Sequence, residues 1–311
     1  MHKVIAIVGP TSSGKTALSV WLAKRIKGVA CAGAEIISAD SRQVYKGLNL
    51  GTGKVTRKEM AGIPHHLLDV ANPKKVFSAS DFKRLGERAL VGIFKKQKTP
   101  LVVGGTGLYA DVLLGRMVLP EVPPNPKLRA KLEKKSAAQL FALLKKKDPE
   151  RAANIEPTHH RRLVRALEIA GALGKSPAKA GAMEGQEKYE VLWLGLNPGA
   201  EVLQKKICKR LRERLKAGML AEAKKLHKEG LSYKRMETLG LEYRYLARLL
   251  QSRRAPSASD AEGALLQELE REINKYAKRQ ARWFKRNPNI IWVAGKSEAL
   301  KLSKKFLATG L

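Results

Sequence analysis

The sequence Val4-Ile5-Ala6-Ile7-Val8 leads directly into Gly9-Pro10-Thr11-Ser12-Ser13-Gly14-Lys15-Thr16, and this stretch decides the fold. Its second part matches G-x-x-x-x-G-K-[ST], the phosphate-binding loop, between an apolar strand pattern and a helical pattern as the motif requires. The backbone N–H groups of such a loop converge on phosphate oxygens, and the helix N-terminus adds partial positive charge. Lys15 supplies a full charge, and Thr16 can reach a phosphate-bound Mg²⁺ ion. We therefore predict a polyphosphate site, although the motif does not identify the polyphosphate.

The composition favours a folded protein with a basic surface. The 311 residues include 61 lysines and arginines against 28 acidic residues, which gives a net charge of +33. The excess is +12 over residues 1–118 and +21 over residues 119–311, so it is not confined to a basic arm. A distributed positive surface indicates a nucleic acid as partner. The alternative is a lysine-rich proteome in which the charge only maintains solubility.

No membrane or secretory segment is predicted. No apolar run approaches the length of a membrane span, and the N-terminal apolar run enters the phosphate loop, unlike a signal peptide. Cys31 and Cys208 lack the spacing of metal ligands and are predicted to be reduced structural residues. We therefore expect a cytoplasmic protein, a monomer by default, with no membrane partner and no obligate protein partner.

Alternating strand and helix patterns predict a parallel sheet in the first third of the chain. The strand patterns cover residues 4–8, 35–39 and 100–103, and a helical pattern covers residues 80–94. Strand patterns return at residues 189–196 and 289–293, and helical stretches lie near residues 201–229 and 261–284.

Prolines between residues 120 and 126 mark a boundary in this pattern. Beyond it, the sequence predicts helices at residues 127–134, 136–147 and 161–173, and then a loose segment at residues 174–185. We predict an α/β fold with a P-loop NTPase-like parallel-sheet core flanked by helices, formed by residues 1–118 and 189–311. Residues 119–188 are predicted to form a helical insertion domain.

Asp40 and Thr106 each follow the end of a predicted strand, as the phosphate loop does. Ligands of parallel sheets bind at the carboxyl ends of the strands, so the three can share one crevice. Asp40 is a candidate general base, a Mg²⁺ ligand beside Thr16, or a helix N-cap. The cluster of residues 40–43 is suited to reading a base edge, because Gln43 can pair with adenine in a bidentate manner.

Three further motifs are weaker when taken singly. The turn at residues 104–107 permits close backbone approach to a ligand, and the Thr106 hydroxyl could bond a phosphate oxygen. The alternative is a strand–turn–helix junction without a ligand. His65 and His66 are adjacent on a predicted loop without nearby metal-ligand partners, which favours structural roles. Lys278, Arg279 and Arg282 are interleaved with aromatic residues near the C-terminus and are candidate contacts to a nucleic-acid backbone.

The predicted helix at residues 161–173 has two faces. At 100° per residue, Arg161, Arg162 and Arg165 share one side, and Leu163 and Val164 lie opposite. Three arginines on one face of so basic a chain indicate contacts with nucleic-acid phosphates.

Together these motifs resemble the bacterial-type tRNA dimethylallyltransferase family, which prenylates the adenosine next to the anticodon. Six patterns match in order over nearly the whole chain. They are G-P-T-x-S-G-K-T at residues 9–16, D-S-x-Q-V-Y-x-G-x-x-x-G-T at 40–52, P-H-H-L-x-D at 64–69, G-G-T-G-L-Y at 104–109, [QR]-R-x-x-R-A-L-E at 161–168 and A-K-R-Q-x-x-W-F at 277–284.

The resemblance implies a prenyl transfer from dimethylallyl diphosphate to N6 of adenosine 37, in tRNAs that read codons beginning with U. It implies that Asp40 is the base and that Thr106 bonds the leaving diphosphate. It also implies that Mg²⁺ is the cofactor, with Thr16 as a protein ligand. The implied diphosphate-binding residues are Gly9, Pro10, Thr11, Ser12, Ser13, Gly14, Lys15 and Thr16, with Arg214 as a further candidate.

The tRNA anticodon stem-loop is the implied macromolecular partner. The residues implied to bind it are Asp40, Ser41, Arg42, Gln43, Thr106, Arg129, Arg161, Arg162, Leu163, Val164, Arg165, Lys278 and Arg279. Ser41, Arg42 and Gln43 would recognise the flipped adenine and its neighbours, and Arg129 together with residues 161–165 would hold the stem-loop.

The chain departs from the family pattern at Gly240–Arg244, where I-G-Y-[KR]-E is expected, and at residues 273–275, where T-R-[QN] is expected. The nearest alternative is an adenylate isopentenyltransferase, which prenylates a free nucleotide and needs no arginine-rich helix. A P-loop NTPase or small-molecule kinase would use Asp40 to bind Mg²⁺. An RNA-binding protein with a nucleotide switch would not depend on Asp40 for a reaction.

Overall fold

The computed structural model describes residues 1–26, 32–174, 183–184, 188–251 and 258–309. Cys31 and most of the segment at residues 174–185 lie outside these described residues. The chain divides into two compact units, of which the larger combines Met1–Leu113 with Lys188–Leu311 and the smaller is Leu114–Glu187.

The described residues form two sheets. Their strands are β1 (Lys3–Val8), β2 (Ala34–Ser38), β3 (His65–His66), β4 (Thr99–Gly104), β5 (Met117–Val118), β6 (Met183–Glu184), β7 (Glu190–Gly195) and β8 (Ile290–Trp292). Six of them form a sheet in the larger unit, in the order β3-β2-β4-β1-β7-β8, and every pairing in it is parallel. The predicted α/β fold with a parallel sheet is therefore confirmed.

Helices fill most of the remaining described chain. They are α1 (Lys15–Ala23), α2 (Arg57–Met60), α3 (Ala79–Lys95), α4 (Gly107–Leu113), α5 (Pro126–Leu132), α6 (Ala137–Lys147), α7 (Pro149–Ala153), α8 (His160–Leu173), α9 (Ala200–Lys216), α10 (Met219–Lys228), α11 (Tyr233–Met236), α12 (Leu241–Gln251), α13 (Ala258–Phe284) and α14 (Lys296–Ala308). No helix among them is both long enough and apolar enough to cross a membrane.

The core of the sheet explains the apolar sequence of its central strands. β1 lies between β4 and β7, and residues 4–8 are fully buried, as expected for an inner parallel strand covered on both faces. Ile5 and Ile7 share one cluster with Leu18 and Leu22 of α1 and with Leu307 of α14. This packing fixes α1, and with it the phosphate loop, at the carboxyl end of β1.

Three predictions about the secondary structure of the larger unit need correction. His65 and His66 are not on a loop: they form β3, the edge strand, where His66 Nε2 lies 2.8 Å from Glu35 Oε2. The helical stretch at residues 201–229 is two helices, because Gly218 adopts φ 96° between α9 and α10. Helices α11 and α12 occupy residues 233–251, where the sequence predicts no element.

In the smaller unit, α5, α6 and α8 confirm the three predicted helices, and the short α7 was not predicted. A capping box starts α6, in which Ser136 and Gln139 bond each other's backbone N–H groups. Leu140, Leu144, Leu163 and Leu167 are buried in one core cluster of this unit. β5 and β6 form its antiparallel two-stranded sheet.

Candidate functional site

A cavity of about 1200 Å³ opens at the carboxyl ends of β1, β2 and β4 in the larger unit. Residues of the phosphate loop line it together with residues of α9, α12 and α13. Among its lining groups are Lys15, Thr16, Asp40, Arg42, Gln43, Arg210, Arg214, Tyr276 and Arg279. The sequence therefore correctly places the phosphate loop and Asp40 in one crevice.

Lys15 is folded back onto its own loop. Its Nζ donates hydrogen bonds to Gly9 O at 2.9 Å and to Pro10 O at 2.6 Å. Burial lowers the pKa of Lys15 to about 8, with the nearby Arg210 acting in the same direction and Asp40 opposing it. An anionic ligand would favour the charged form of the amine, so ligand binding and protonation of Lys15 are coupled.

Asp40 uses one carboxylate oxygen to shape the turn that follows β2. Its Oδ1 accepts hydrogen bonds from Arg42 N at 2.8 Å and from Gln43 N at 3.3 Å. The helix N-cap role considered for Asp40 in the sequence is therefore replaced by a similar interaction, in which the carboxylate accepts backbone N–H groups of a turn instead of a helix. Oδ2 makes no hydrogen bond within the part of the chain that the structure describes. The carboxylate is thus held rigidly, with a free oxygen available to a ligand in the cavity.

Ser41 and Thr106 bond each other. Thr106 Oγ1 accepts a hydrogen bond from Ser41 N at 3.0 Å and donates one to Ser41 Oγ at 3.3 Å. Neither residue lines the cavity, whereas their neighbours Asp40 and Gly105 do. The turn after β4 is therefore tied to the turn after β2, and a direct bond from Thr106 to diphosphate stays a prediction.

Two arginines of α9, four residues apart, face the cavity. Arg214 Nη1 donates hydrogen bonds to Leu50 O, Gly51 O and Glu242 Oε1, each 3.2 Å away. Arg210 has no comparable hydrogen bond to the described residues, and burial and the charge of Arg214 lower its pKa. Because its guanidinium has no such bonds to the described residues, Arg210 is the better placed of the two to bind an anion in the cavity.

Sequence reasoning missed Arg210 although a signal was present. Residues 210 and 214 share one face of any helix because they are four apart, so naming Arg214 as a candidate implicates Arg210 as well. The rearranged motif at Gly240–Arg244 helps to hold Arg214, because Glu242 of this motif accepts a hydrogen bond from its guanidinium. The neighbouring Tyr243 donates its hydroxyl to Glu222. Glu222 also accepts hydrogen bonds from the backbone N–H groups of residues 49–51.

One wall of the cavity comes from α13. Tyr276 and Arg279 line it, with the guanidinium of Arg279 5.8 Å from the centre of the Tyr276 ring. Burial and the neighbouring Asp40 raise the pKa of Tyr276 to about 12, so its hydroxyl stays protonated at neutral pH. Lys278 is exposed and does not line the cavity.

The residues near the phosphate loop suit a metal ion that arrives with a ligand. The described residues contain no group of three or more His, Cys, Asp or Glu side chains that could hold a metal ion. Thr16 is exposed at the start of α1, and both it and Asp40 line the cavity. Mg²⁺ usually retains several waters and binds through substrate phosphates with one or two protein oxygens. The donor set therefore fits Mg²⁺ held mainly by a diphosphate.

In the smaller unit, the predicted tRNA-binding arginines fall into two classes. Arg129 donates to the buried Glu168 through Nε at 2.9 Å and Nη2 at 2.7 Å, and Arg165 Nη1 also bonds Glu168 Oε2. Arg161 and Arg162 are instead exposed in the first turn of α8. These two are free to contact a polyanion, whereas Arg129 and Arg165 also stabilise the unit from within.

Leu163 and Val164 require a correction. Their side chains are 0% and 6% exposed and belong to the core cluster of the smaller unit. A buried aliphatic side chain cannot reach a nucleic acid, so the implied tRNA contact does not apply to these side chains. The helical periodicity already places both residues opposite the arginines.

Comparisons with known proteins are consistent over nearly the whole chain. The sequence model of the IPP transferase family matches residues 43–287. The "tRNA dimethylallyltransferase" of Anoxybacillus flavithermus is 36% identical over 94% of this chain and 90% of its own length. The "tRNA dimethylallyltransferase 2" of Citrifermentans bemidjiense is 38% identical over 98% of this chain and 95% of its own.

Solved structures agree with these sequence matches. The full-length tRNA isopentenylpyrophosphate transferase of Bacillus halodurans is similar with a TM-score of 0.70 and 33% identity, covering 99% of this chain and 96% of that one. A eukaryotic dimethylallyltransferase acting on tRNA is similar with a TM-score of 0.82 and 26% identity, covering 99% and 80%. The family match, the close relatives and the shared fold lead to one assignment: this chain belongs to the IPP transferase family.

Proposed function

We propose that this chain transfers the dimethylallyl group of dimethylallyl diphosphate to N6 of adenosine 37, beside the anticodon, in tRNAs that read codons beginning with U. The observation that carries the proposal is the cavity shared by the phosphate loop and the free oxygen of Asp40, in a member of the IPP transferase family. Relatives named tRNA dimethylallyltransferase align with more than nine-tenths of the chain.

One side of the cavity is proposed to stabilise the leaving diphosphate. As the bond between the allylic carbon and oxygen breaks, its electron pair departs with the diphosphate, which gains negative charge. Lys15, Arg210 and N–H groups of the phosphate loop are the donors on that side, and such donors are most effective in a water-poor site. Lys15 already lies in the loop and has only to exchange Gly9 O and Pro10 O for phosphate oxygens.

The other side of the cavity is proposed to bind adenosine and to accept the proton of its N6 amine. The N6 lone pair attacks the allylic carbon, a new N–C bond forms, and the proton lost from N6 passes to Asp40. The bonds from Arg42 N and Gln43 N hold Asp40 Oδ1, which aims Oδ2 without a reorganisation cost during the reaction. The side chains of Arg42 and Gln43 line the same region and are suited to recognising the adenine edge.

We further propose that Mg²⁺ accompanies the diphosphate, with the Thr16 hydroxyl as its protein ligand. When bound, the ion would neutralise part of the negative charge of the leaving group. The roles of Lys15, Arg210 and Asp40 follow from their own positions and do not depend on that ion.

The tRNA is proposed to bind through exposed cations. Extrusion of adenosine 37 from its stack costs roughly a few kcal/mol, and contacts to the phosphate backbone offset that cost. Arg161 and Arg162 of α8 and Lys278 of α13 are exposed and available for such contacts. Recognition of the tRNA anticodon stem-loop requires no second protein, and we place the reaction in the cytoplasm on the basis of its substrate.

A product assay tests this function. The protein is incubated with dimethylallyl diphosphate, Mg²⁺ and either a tRNA carrying A36-A37-A38 or free AMP, and the digested products are analysed by mass spectrometry. We expect dimethylallyl on adenosine 37 and none on AMP. The Asp40→Asn variant keeps an oxygen for Arg42 N and thus the turn, so it should melt like the wild type and yet lose activity by about 100-fold or more. Prenylated AMP with unmodified tRNA would overturn the proposal.

A further inference from the structure

Gln280 of α13 connects two loops of the cavity that are distant in sequence. Its Oε1 accepts a hydrogen bond from Thr11 N, in the phosphate loop, at 2.8 Å. Its Nε2 donates one to Gly105 O, in the turn after β4, also at 2.8 Å. The side chain is 7% exposed, so both bonds are shielded from water. One amide thus satisfies a donor on the leaving-group side and an acceptor on the other loop.

The turn after β4 is fitted closely against this side of α13. A Cβ atom on Gly105 would lie 2.3 Å from Gln280 Nε2, and one on Gly107 would lie 2.1 Å from the ring of Trp283. Trp283 also donates its indole N–H to Asp111 Oδ2 at 2.8 Å. Residues 280 and 283 are one helical turn apart, so one face of α13 holds the turn at two points.

The connection continues to the catalytic aspartate. Gly105 precedes Thr106, whose hydroxyl is bonded to Ser41, and Ser41 follows Asp40. Any shift of the phosphate loop relative to Gly105 is therefore a shift of the diphosphate relative to the base. A displacement of about 1 Å can cost roughly 100-fold in rate when reacting groups must be aligned.

We propose that Gln280 is a positioning residue that sets the distance between the diphosphate site and Asp40. This inference rests on the proposed prenyl transfer. The amide provides both an acceptor and a donor at this position whatever the pH. A carboxylate keeps the acceptor for Thr11 N but sets a negative charge against Gly105 O, and a thioether of the same length provides neither bond.

The first test compares Gln280→Met and Gln280→Glu with the wild type. The matched controls are Gln267→Met and Gln267→Glu, which make the same changes at an exposed position of the same helix. We expect the Gln280 variants to bind inorganic diphosphate with Mg²⁺ at least 10-fold more weakly by calorimetry. We also expect them to lower kcat for tRNA prenylation at least 10-fold, with an unchanged KM for tRNA. The Gln267 variants should match the wild type in all three measurements.

The second test uses pH to restore the lost hydrogen bond. In the Gln280→Glu variant, a protonated carboxyl group would again accept from Thr11 N and donate to Gly105 O, and burial favours that neutral form. The ratio of kcat for Gln280→Glu to kcat for the wild type should therefore rise severalfold between pH 8 and pH 6. The same ratio for Gln280→Met should stay flat. The titratable groups that line the cavity nearby, Lys15, Asp40, Tyr276 and Arg279, are present in every protein compared and cancel in the ratio.

These outcomes separate the inference from the proposed function. An active wild type with Gln280 variants that keep normal diphosphate affinity and kcat would refute the positioning role. A flat pH ratio for Gln280→Glu, equal to that of Gln280→Met, would also refute it, because a purely structural defect does not recover on protonation. A wild type that binds diphosphate but prenylates no tRNA would refute the proposed function instead.

Discussion

The strongest stability prediction concerns Glu168, a buried acid of the smaller unit. Its carboxylate is 2% exposed and accepts hydrogen bonds from Asn125 N at 2.6 Å, from two nitrogens of Arg129, and from Arg165. The Glu168→Gln substitution preserves the volume of the side chain and removes its charge. It leaves two guanidinium groups beside a neutral amide that can accept at only one of its two ends.

The size of the effect follows from the pKa. Burial alone would raise the pKa of Glu168, but the hydrogen bonds from Arg129, Asn125 N and Arg165 outweigh it and lower the pKa from 4.5 to about 2. Each unit of pKa is worth about 1.4 kcal/mol, so the charged form contributes roughly 3 kcal/mol to folding at neutral pH. Loss of one partner of a buried pair costs about 3–5 kcal/mol, and the partly exposed arginines favour the lower end of that range.

The sign of the pH dependence is fixed by the same shift. Because the pKa is lower in the folded state, the contribution is complete above pH 4.5 and is lost as pH falls towards 2. The difference between wild type and Glu168→Gln should therefore be roughly 3 kcal/mol at pH 7 and less than about half of that at pH 3.

Hydrogen exchange of the α8 amides measures this local stability without requiring the whole chain to unfold in one step. The control is Glu133→Gln, the same change at an exposed position of the same unit, which should have little effect. Equal exchange rates in Glu168→Gln and Glu133→Gln at pH 7 would refute the reasoning, as would a difference that grows when the solution is acidified.

Three further predictions concern ligand binding. Diphosphate affinity, followed by calorimetry, should fall as pH rises through about 8, where the charge of Lys15 is lost, and Lys15→Met should bind weakly without that step. Arg210→Met should raise the KM for dimethylallyl diphosphate at least 10-fold, whereas Arg214→Met should mainly lower the melting temperature, since Arg214 holds Leu50 O, Gly51 O and Glu242; the reverse pattern would exchange their roles. Arg161→Ala and Arg162→Ala should each weaken tRNA binding severalfold and reduce its salt dependence by about one phosphate contact, unlike Lys304→Ala on α14.

The parts of the fold that the sequence predicts are those with continuous or periodic patterns. β1 reads as an apolar run because it is buried on both faces, and α8 reads as a helix because its apolar residues recur on one side. β3 has only two residues, too few to produce a pattern, and it exists because the backbone of residues 65–66 completes the edge of β2. The break between α9 and α10 covers only residues 217–218 and depends on the positive φ of Gly218, within a stretch whose sequence pattern is helical.

The residues of the candidate site likewise differ in how far the sequence predicts them. The phosphate loop and Asp40 are predictable because each is a local motif whose position at a strand end follows from parallel-sheet topology. Arg210 follows from its four-residue spacing to Arg214 only once Arg214 is known to face the cavity, and Gln280 lies in a matched motif whose contacts the sequence does not show. The faces of α9 and α13 that line the cavity are set by the larger unit's core, to which Ile207, Leu211, Ile273 and Ala277 belong, and a linear sequence does not display that packing.

Two buried acids, Glu35 and Glu168, have a common role in this strongly basic chain. Glu35 lies within hydrogen-bond distance of His66, Lys96 and Lys98, and Glu168 of Arg129 and Arg165. In both cases hydrogen bonds to cationic partners outweigh the effect of burial and lower the pKa of the carboxyl to about 2, so the anions persist at neutral pH. With 28 acids against 61 bases, a net charge of +33 remains even though these acids are paired with cations inside the fold. Internal anchoring and external attraction for a polyanion are therefore two consequences of one distribution of charge.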